Sequence, residues 1–306
     1  MSKEFCVIIP TFNNSDTLES IINDAFKICQ NIIVVNDGST DETSNIIHNL
    51  KDKITVIKHL KNIGKGQSLR NAFKYAIKKK FKYAITIDSD GQHDPKEISL
   101  FMREAIKNPN SILLGARNMN QFSVPKKSSF GNKFSNFWFL FETGISLSDT
   151  QTGFRLYPLE KLKNIKFFSK KFEFEIEILV RMAWKNVPIK EIPISVKYAE
   201  NRISHFRPLK DFLRISALNT ILVTVALIYF IPIRLFNYFK TQIQPKKIYK
   251  DFLSQDGSII HKSLSVGLGT SIAILPIWGF QTLIAILIAY IFRLNKILVL
   301  LFSNIS

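Results

Sequence analysis

Cysteine is scarce: the chain carries only Cys6 and Cys29 in 306 residues. Neither disulfide-framework spacing nor a metal-ligand pattern surrounds them, which excludes a cystine-built or zinc-built scaffold and makes them buried free thiols. Acids are also under-represented. Against 42 Lys and Arg stand 24 Asp and Glu, a net charge of +18. Such an excess suits either nucleic acid or an anionic membrane surface. The lysines are spread among Phe and Ile residues, without an RNA-binding or zinc-finger signature, so nucleic acid is not expected as a partner. The stretch from Met1 to Pro10 has no basic segment followed by a signal-length apolar core and passes straight into a strand pattern. The first part of the chain is therefore expected on the cytoplasmic side.

What is present is an alternating pattern. Short β-rich runs at Phe5 to Pro10, Ile32 to Val35, Ile54 to Lys58, Tyr83 to Asp88 and Ser111 to Gly115 are separated by segments long enough for crossover helices. This predicts an α/β fold with a mostly parallel sheet covered on both faces. Ser39-Thr40-Asp41-Glu42 has capping-box spacing, and Asp94-Pro95 offers an N-cap followed by proline. Beyond residue 125, helices are predicted near 128–142 and 172–185, then two short strands near Ile189 to Ile192 and Ile194 to Tyr198.

Ligands of such a sheet bind outside the carboxyl ends of its strands. Polar groups collect there: Pro10, Thr11, Phe12 and Asn13 after the first strand, Asn36 to Ser39 after the second, Gly64 to Gly66 after the third, and Asp88, Ser89 and Asp90 after the fourth. Each group alone is an ordinary turn. Four on one edge make a nucleotide site, with the Asp-x-Asp pair sharing a hard cation and the phosphates it carries.

The composition changes after residue 210. Ile215 to Ile233 is a run of 19 residues without charge, close to the ~20 needed to cross a bilayer. Leu264 to Phe292 is again uncharged, broken at Leu275 to Gly279. The expected organisation is a catalytic domain over 1–208 and a membrane-associated helical region over 209–306. Topology stays open. A single crossing at 215–233 would put Arg234, Lys240, Lys246, Lys247, Lys250 and Lys262 outside, against the positive-inside tendency. Alternatively, 215–233 lies in the interface and 264–292 forms a re-entrant hairpin.

Taken together, Val7 to Asn13, Val35 to Asp41, Asn62 to Gly66, Asp88 to Pro95, Gly115-Ala116-Arg117 and Asp149 to Arg155 resemble the family 2 glycosyltransferases. The similarity lies with the branch of dolichyl-phosphate mannose synthase and bacterial polyprenyl-phosphate sugar transferases, and covers residues 5 to about 206. From about residue 245, the chain more weakly resembles the membrane domain often fused behind such enzymes. The resemblance implies a GT-A fold, a UDP- or GDP-linked sugar donor, a divalent metal and transfer with inversion.

By resemblance, Asp37 accepts from the base and Pro10, Thr11 and Phe12 line its pocket, with Asn13 and Ser89 beside it. Lys65 is assigned to phosphate or ribose. Asn36 departs from the pattern, since a second acid often stands there. Chemistry and resemblance agree on Mg²⁺ or Mn²⁺ held by oxygen ligands: Asp90 directly, Asp88 at the ribose or a second position, and Gln92 as a neutral ligand. A hydroxyl acceptor needs a general base, for which Asp149 is the candidate; equally, Asp149 is an N-cap or the salt-bridge partner of Arg155. A phosphate acceptor needs no base, and Arg117, Lys126, Lys127, Arg155 and Arg202 would hold it. Of Glu173, Glu175 and Glu177, alternate on a helix, one or two are expected to face the site. Ser204-His205-Phe206 resembles the segment closing near the acceptor. The expected activity is transfer to a membrane lipid, most simply a polyprenyl phosphate. The alternatives are a lipid hydroxyl, a cell-surface glycan or a non-catalytic membrane scaffold, and a homo-oligomer is left open. The intact Asp88 and Asp90 argue against the scaffold.

Overall fold

The computed structural model describes residues 2–117, 126–196, 207–242, 258–274 and 280–303. The chain divides into two compact units, Met1–Phe230 and Ile231–Ser306.

The first unit is built on seven strands: β1 (Phe5–Thr11), β2 (Ile32–Asn36), β3 (Thr55–Lys58), β4 (Tyr83–Thr86), β5 (Ile112–Arg117), β6 (Arg155–Pro158) and β7 (Ile189–Ile194). Their spatial order is β3-β2-β1-β4-β6-β5-β7. All neighbours run parallel except β6, which is antiparallel to both β4 and β5. The strand period of two sorts β1 cleanly between two cores. Cys6 and Ile8 point into one, and Phe5, Val7 and Ile9 into the other. Both cysteines are buried and unpaired, as their spacing predicts.

One face is covered by α3 (Lys65–Lys78), α5 (Lys126–Thr143), the short α6 (Leu159–Leu162), α7 (Phe174–Trp184) and α8 (Pro208–Val225). The opposite face carries α1 (Ser15–Phe26), α2 (Thr43–Asn49) and α4 (Ile98–Lys107). In α3 the buried Leu69, Ala72, Phe73 and Ala76 recur at helical spacing, which is why this charged segment coils against the sheet. Each fully buried large aliphatic or Phe side chain contributes about 1.5–3 kcal/mol.

Three local expectations are corrected. The strand β6 is additional: its four residues open on a charged Arg155, which hides the β signal. The two strands expected after residue 189 are one continuous β7 up to Ile194, and residues from 197 lie outside the described range. The 39–42 capping box does not form. Asp41 instead accepts from Thr43 N at 3.1 Å and Ser15 N at 3.2 Å, tying α2 to α1. Asp94 does cap its turn, accepting from Lys96 N at 3.0 Å. The compact units part after Phe230, with Leu218 and Leu222 of α8 buried in the core of the first unit.

A π-helical turn, Ala226–Phe230, follows α8. The helical run Lys210–Asn237, of 28 residues and mean hydropathy 2.0, is long and apolar enough to cross a membrane by length and composition. Only 17% of its most apolar window is buried, unlike the core helix of a soluble protein.

The second unit contains α9 (Ile231–Gln242), α10 (Ile259–Ile274), α11 (Gln281–Ile291) and α12 (Lys296–Ser303). Ile272, Ala285, Ala289 and Val299 form its small core. Gly269 is required by close packing, since a Cβ there would lie 2.7 Å from Val299 O. The turn at Arg293 to Asn295 is present, with Arg293 at φ 51 and Asn295 capping α12 through Ile297 N at 3.1 Å. Pro276 to Gly279 lie outside the described residues, and α12 is a helix the sequence reading did not separate.

Candidate functional site

The strand ends converge as expected. After β1, Asn13 turns at φ 50 and is stitched to the β2 loop: Asn13 N donates to Ser39 Oγ at 3.1 Å and Thr40 N to Asn13 Oδ1 at 2.9 Å. Asn14 Nδ2 reaches Ser89 Oγ at 2.8 Å, joining the first and fourth strand ends. Thr11 Oγ1 is buried at this edge without a hydrogen-bond partner. Asn36, in place of an acid, accepts from Ser39 N at 2.9 Å and donates to Ser44 Oγ at 3.1 Å. It thereby ties the turn after β2 to the start of α2.

Asp37 is 3% exposed. Its Oδ1 accepts from Ile63 N at 3.0 Å and faces His59 Nδ1 at 2.8 Å; its Oδ2 accepts from Gly64 N at 2.8 Å. Two backbone donors make Asp37 the holder of the 62–66 loop, a structural role the sequence reading did not include.

That loop delivers Lys65. Gly64 and Gly66 flank it because residues 170–174 press on α3: a Cβ on Gly66 would sit 2.4 Å from Phe174 Cβ, and one on Gly64 2.6 Å from Lys170 O. Lys65 Nζ lies 2.6 Å from Asp88 Oδ1 and 3.0 Å from Glu175 Oε1. Burial works against each charge here. The Lys65 ammonium nevertheless holds Asp88 below the ordinary carboxylate range, and the two carboxylates raise Lys65 above the ordinary lysine value.

Gly153 completes the cradle of Asp88, for a Cβ there would fall 2.2 Å from Asp88 Oδ2. Asp88 thus packs against the Gly153 backbone while its Oδ1 pairs with Lys65, and its side chain stays partly exposed. Asp90 is half-buried and accepts from Gln92 N at 3.1 Å. Gln92 and His93 are buried, with Gln92 Nε2 and His93 Nδ1 lacking partners. Burial, opposed by Asp88 and reinforced by Arg117, pushes the His93 imidazole down to about 4. Among the described residues, no three His, Cys, Asp or Glu side chains form a metal cage. Asp90 and Gln92 carry the hard oxygen donors that would suit a Mg²⁺ or Mn²⁺ ion, with substrate phosphates and water needed to complete its ligands.

On the other side stands Asp149, with 0% exposure. Arg117 grips it bidentately: Nε to Oδ2 at 2.6 Å, Nη2 to Oδ1 at 2.9 Å, with Arg117 N adding 3.2 Å. The partner is thus Arg117, not Arg155. Arg155, also 0% exposed, gives its guanidinium to Thr150 O, Thr152 O, Glu175 O and Tyr157 Oη. It cannot hold an acceptor anion, because its donors fasten β6 to α7. Arg117 is likewise committed to Asp149. Lys126 and Lys127 side chains, Arg202 and the 204–206 segment lie outside the described residues.

The Asp149 loop is clamped by Glu191, which accepts from Ser148 N and Asp149 N, and by Asn132 and Asn136 of α5, which donate to Ser148 O. Of the three glutamates, only Glu175 joins the donor side. Glu173 accepts from Lys171 N, while Glu177 binds Arg181 and Ser169 N. The sequence reading missed Gly153 and His93. The chemical signal was a glycine between Thr152 and Phe154 in a motif with no other need of one.

A mixed seven-stranded sheet with one antiparallel strand, and an acidic pair following its fourth strand, is the GT-A fold. The chain belongs to glycosyl transferase family 2, whose model matches residues 6–166. It is 31% identical over 210 residues to an uncharacterized protein of Methanocaldococcus jannaschii, covering 66% of this chain and 84% of that one. It is 28% identical to the UDP-N-acetylglucosamine–dolichyl-phosphate N-acetylglucosaminyltransferase of Methanococcus voltae, over 63% of this chain and 86% of the relative. In fold it is similar to glucosyl-3-phosphoglycerate synthase from Mycobacterium tuberculosis, crystallised with Mn²⁺, UDP and phosphoglyceric acid. There the TM-score is 0.55 and the identity 17%, over 73% of this chain and 77% of the other.

Proposed function

We propose that this protein transfers a sugar, with inversion, from a UDP- or GDP-linked donor to a membrane polyprenyl phosphate. The observation that carries the donor half is the Asp88-Asp90-Gln92 turn beside the orphaned Thr11 hydroxyl, all on one sheet edge. Asp90 and Gln92 would hold Mg²⁺ or Mn²⁺, which when bound offsets the charge of the departing nucleoside diphosphate. Lys65 stands beside them, and Asp37 fixes the loop that brings it. In the transfer, an acceptor oxygen forms a bond to the anomeric carbon from the face opposite the diphosphate, whose C–O bond breaks with its electron pair leaving on the diphosphate.

A lipid phosphate is favoured over a hydroxyl by the state of Asp149. A general base must reach the proton it takes, and Asp149 is fully buried with both oxygens on Arg117. A phosphate oxygen is already anionic and asks for none. The dolichyl-phosphate acceptor in the name of the Methanococcus voltae relative supports the same reading. Membrane attachment, with the catalytic unit on the cytoplasmic side, is supported by the apolar run Lys210–Asn237 and by exposed Phe130, Phe137, Phe212, Leu213 and Ile221 on α5 and α8. The test is Asp90→Ala in a donor-hydrolysis and lipid-transfer assay: loss of metal-dependent turnover is expected, and its retention would contradict the assignment.

A further inference from the structure

Glu175 has no assigned role, yet it is the second anchor of Lys65 at the donor edge. Lys65 starts α3, and its ammonium is pinned from two sides: by Asp88 from the loop after β4, and by Glu175 from the first turn of α7. The rest of the packing maintains this. Gly64 and Gly66 lack the Cβ atoms that would push residues 170–174 away, and Gln67 N donates to Lys170 O at 2.8 Å. Arg155 Nη1 donates to Glu175 O at 2.7 Å, fixing the glutamate backbone from β6. A flexible four-carbon side chain is thereby reduced to one position, which lowers the ordering cost when an anion arrives.

We propose that Glu175 is a positioning residue for the donor: it holds Lys65 where the diphosphate of the nucleotide-sugar binds. This rests on the reading of Lys65 as a donor contact. With Asp88 as its only anchor, the ammonium would pivot about that carboxylate and meet the diphosphate less often in register.

The test is a double-mutant cycle of Lys65→Met and Glu175→Gln in the full chain, reading the binding of UDP and of GDP with Mn²⁺ by calorimetry, and donor KM against kcat. Lys65→Met should weaken nucleoside diphosphate binding about tenfold or more, the scale of one charged hydrogen bond. Glu175→Gln should weaken it by roughly threefold to tenfold on the same scale, through KM rather than kcat. In the Lys65→Met background, Glu175→Gln should change nothing further. Normal binding by Glu175→Gln, or equal losses in both backgrounds, would overturn the role of Glu175 alone. Normal binding by Lys65→Met would overturn the reading of Lys65, and this role with it.

Discussion

Arg117 and Asp149 form a bidentate ion pair, 2.6 and 2.9 Å long, in which the carboxylate is sealed from solvent. The pair ties the end of β5 to the 148–155 loop. Removing one partner leaves a charge buried and alone, which costs about 3–5 kcal/mol. Asp149→Asn should therefore lower the unfolding midpoint by roughly 10 °C for a unit of this size. Thermal denaturation measures this directly. An unchanged midpoint with lost transfer would instead return Asp149 to the role of a base.

Gly153→Ala should damage the site without unfolding the domain. The new methyl would overlap Asp88 Oδ2 and force the carboxylate off Lys65. We expect Mn²⁺-dependent UDP binding to fall at least tenfold, the scale of a lost charged hydrogen bond. The far-ultraviolet circular dichroism should remain unchanged.

Glu142 of α5 gives a pH signature. Both carboxylate oxygens are buried without partners, and burial alone pushes its pKa to about 8. A raised folded-state value means the native protein binds more protons than the unfolded chain between about 4.5 and 8. Its contribution to stability therefore declines as pH rises through that window. Glu142→Gln, which resembles the protonated form, should raise the unfolding midpoint at pH 8 and leave it nearly unchanged at pH 5. Equal shifts at both pH values would show that the carboxyl is not protonated in the fold.

Arg155→Lys should cost stability, since a lysine cannot serve Thr150 O, Glu175 O and Tyr157 Oη together. Loss of a buried network of this kind exceeds about 2 kcal/mol. Denaturant titration would show it as a lower midpoint, whereas a pure anion-holding arginine would leave the midpoint in place.

The parallel strands and the donor edge were legible because each apolar run ends in residues that strand packing does not require, as at Thr86 to Asp90. The partner of Asp149 was not. Arg117 and Arg155 lie 38 positions apart and are equally plausible by charge; β6 lies between β4 and β5, and its reversal decides which guanidinium meets the carboxylate. Lys65 was recognised as a candidate contact, but its second anchor required knowing that α7 begins against Gly64 and Gly66. Long-range register carries such information, and spacing along the chain does not.

The central claim is best tested by the choice of acceptor. Membranes containing the full chain would be given a panel of labelled UDP- and GDP-sugars with either a polyprenyl phosphate or the matching polyprenol, with and without a chelator. Labelled lipid formed only from the phosphate, and lost with the chelator or in Asp90→Ala, is the predicted result; transfer to the alcohol, or turnover that survives chelation, would contradict it.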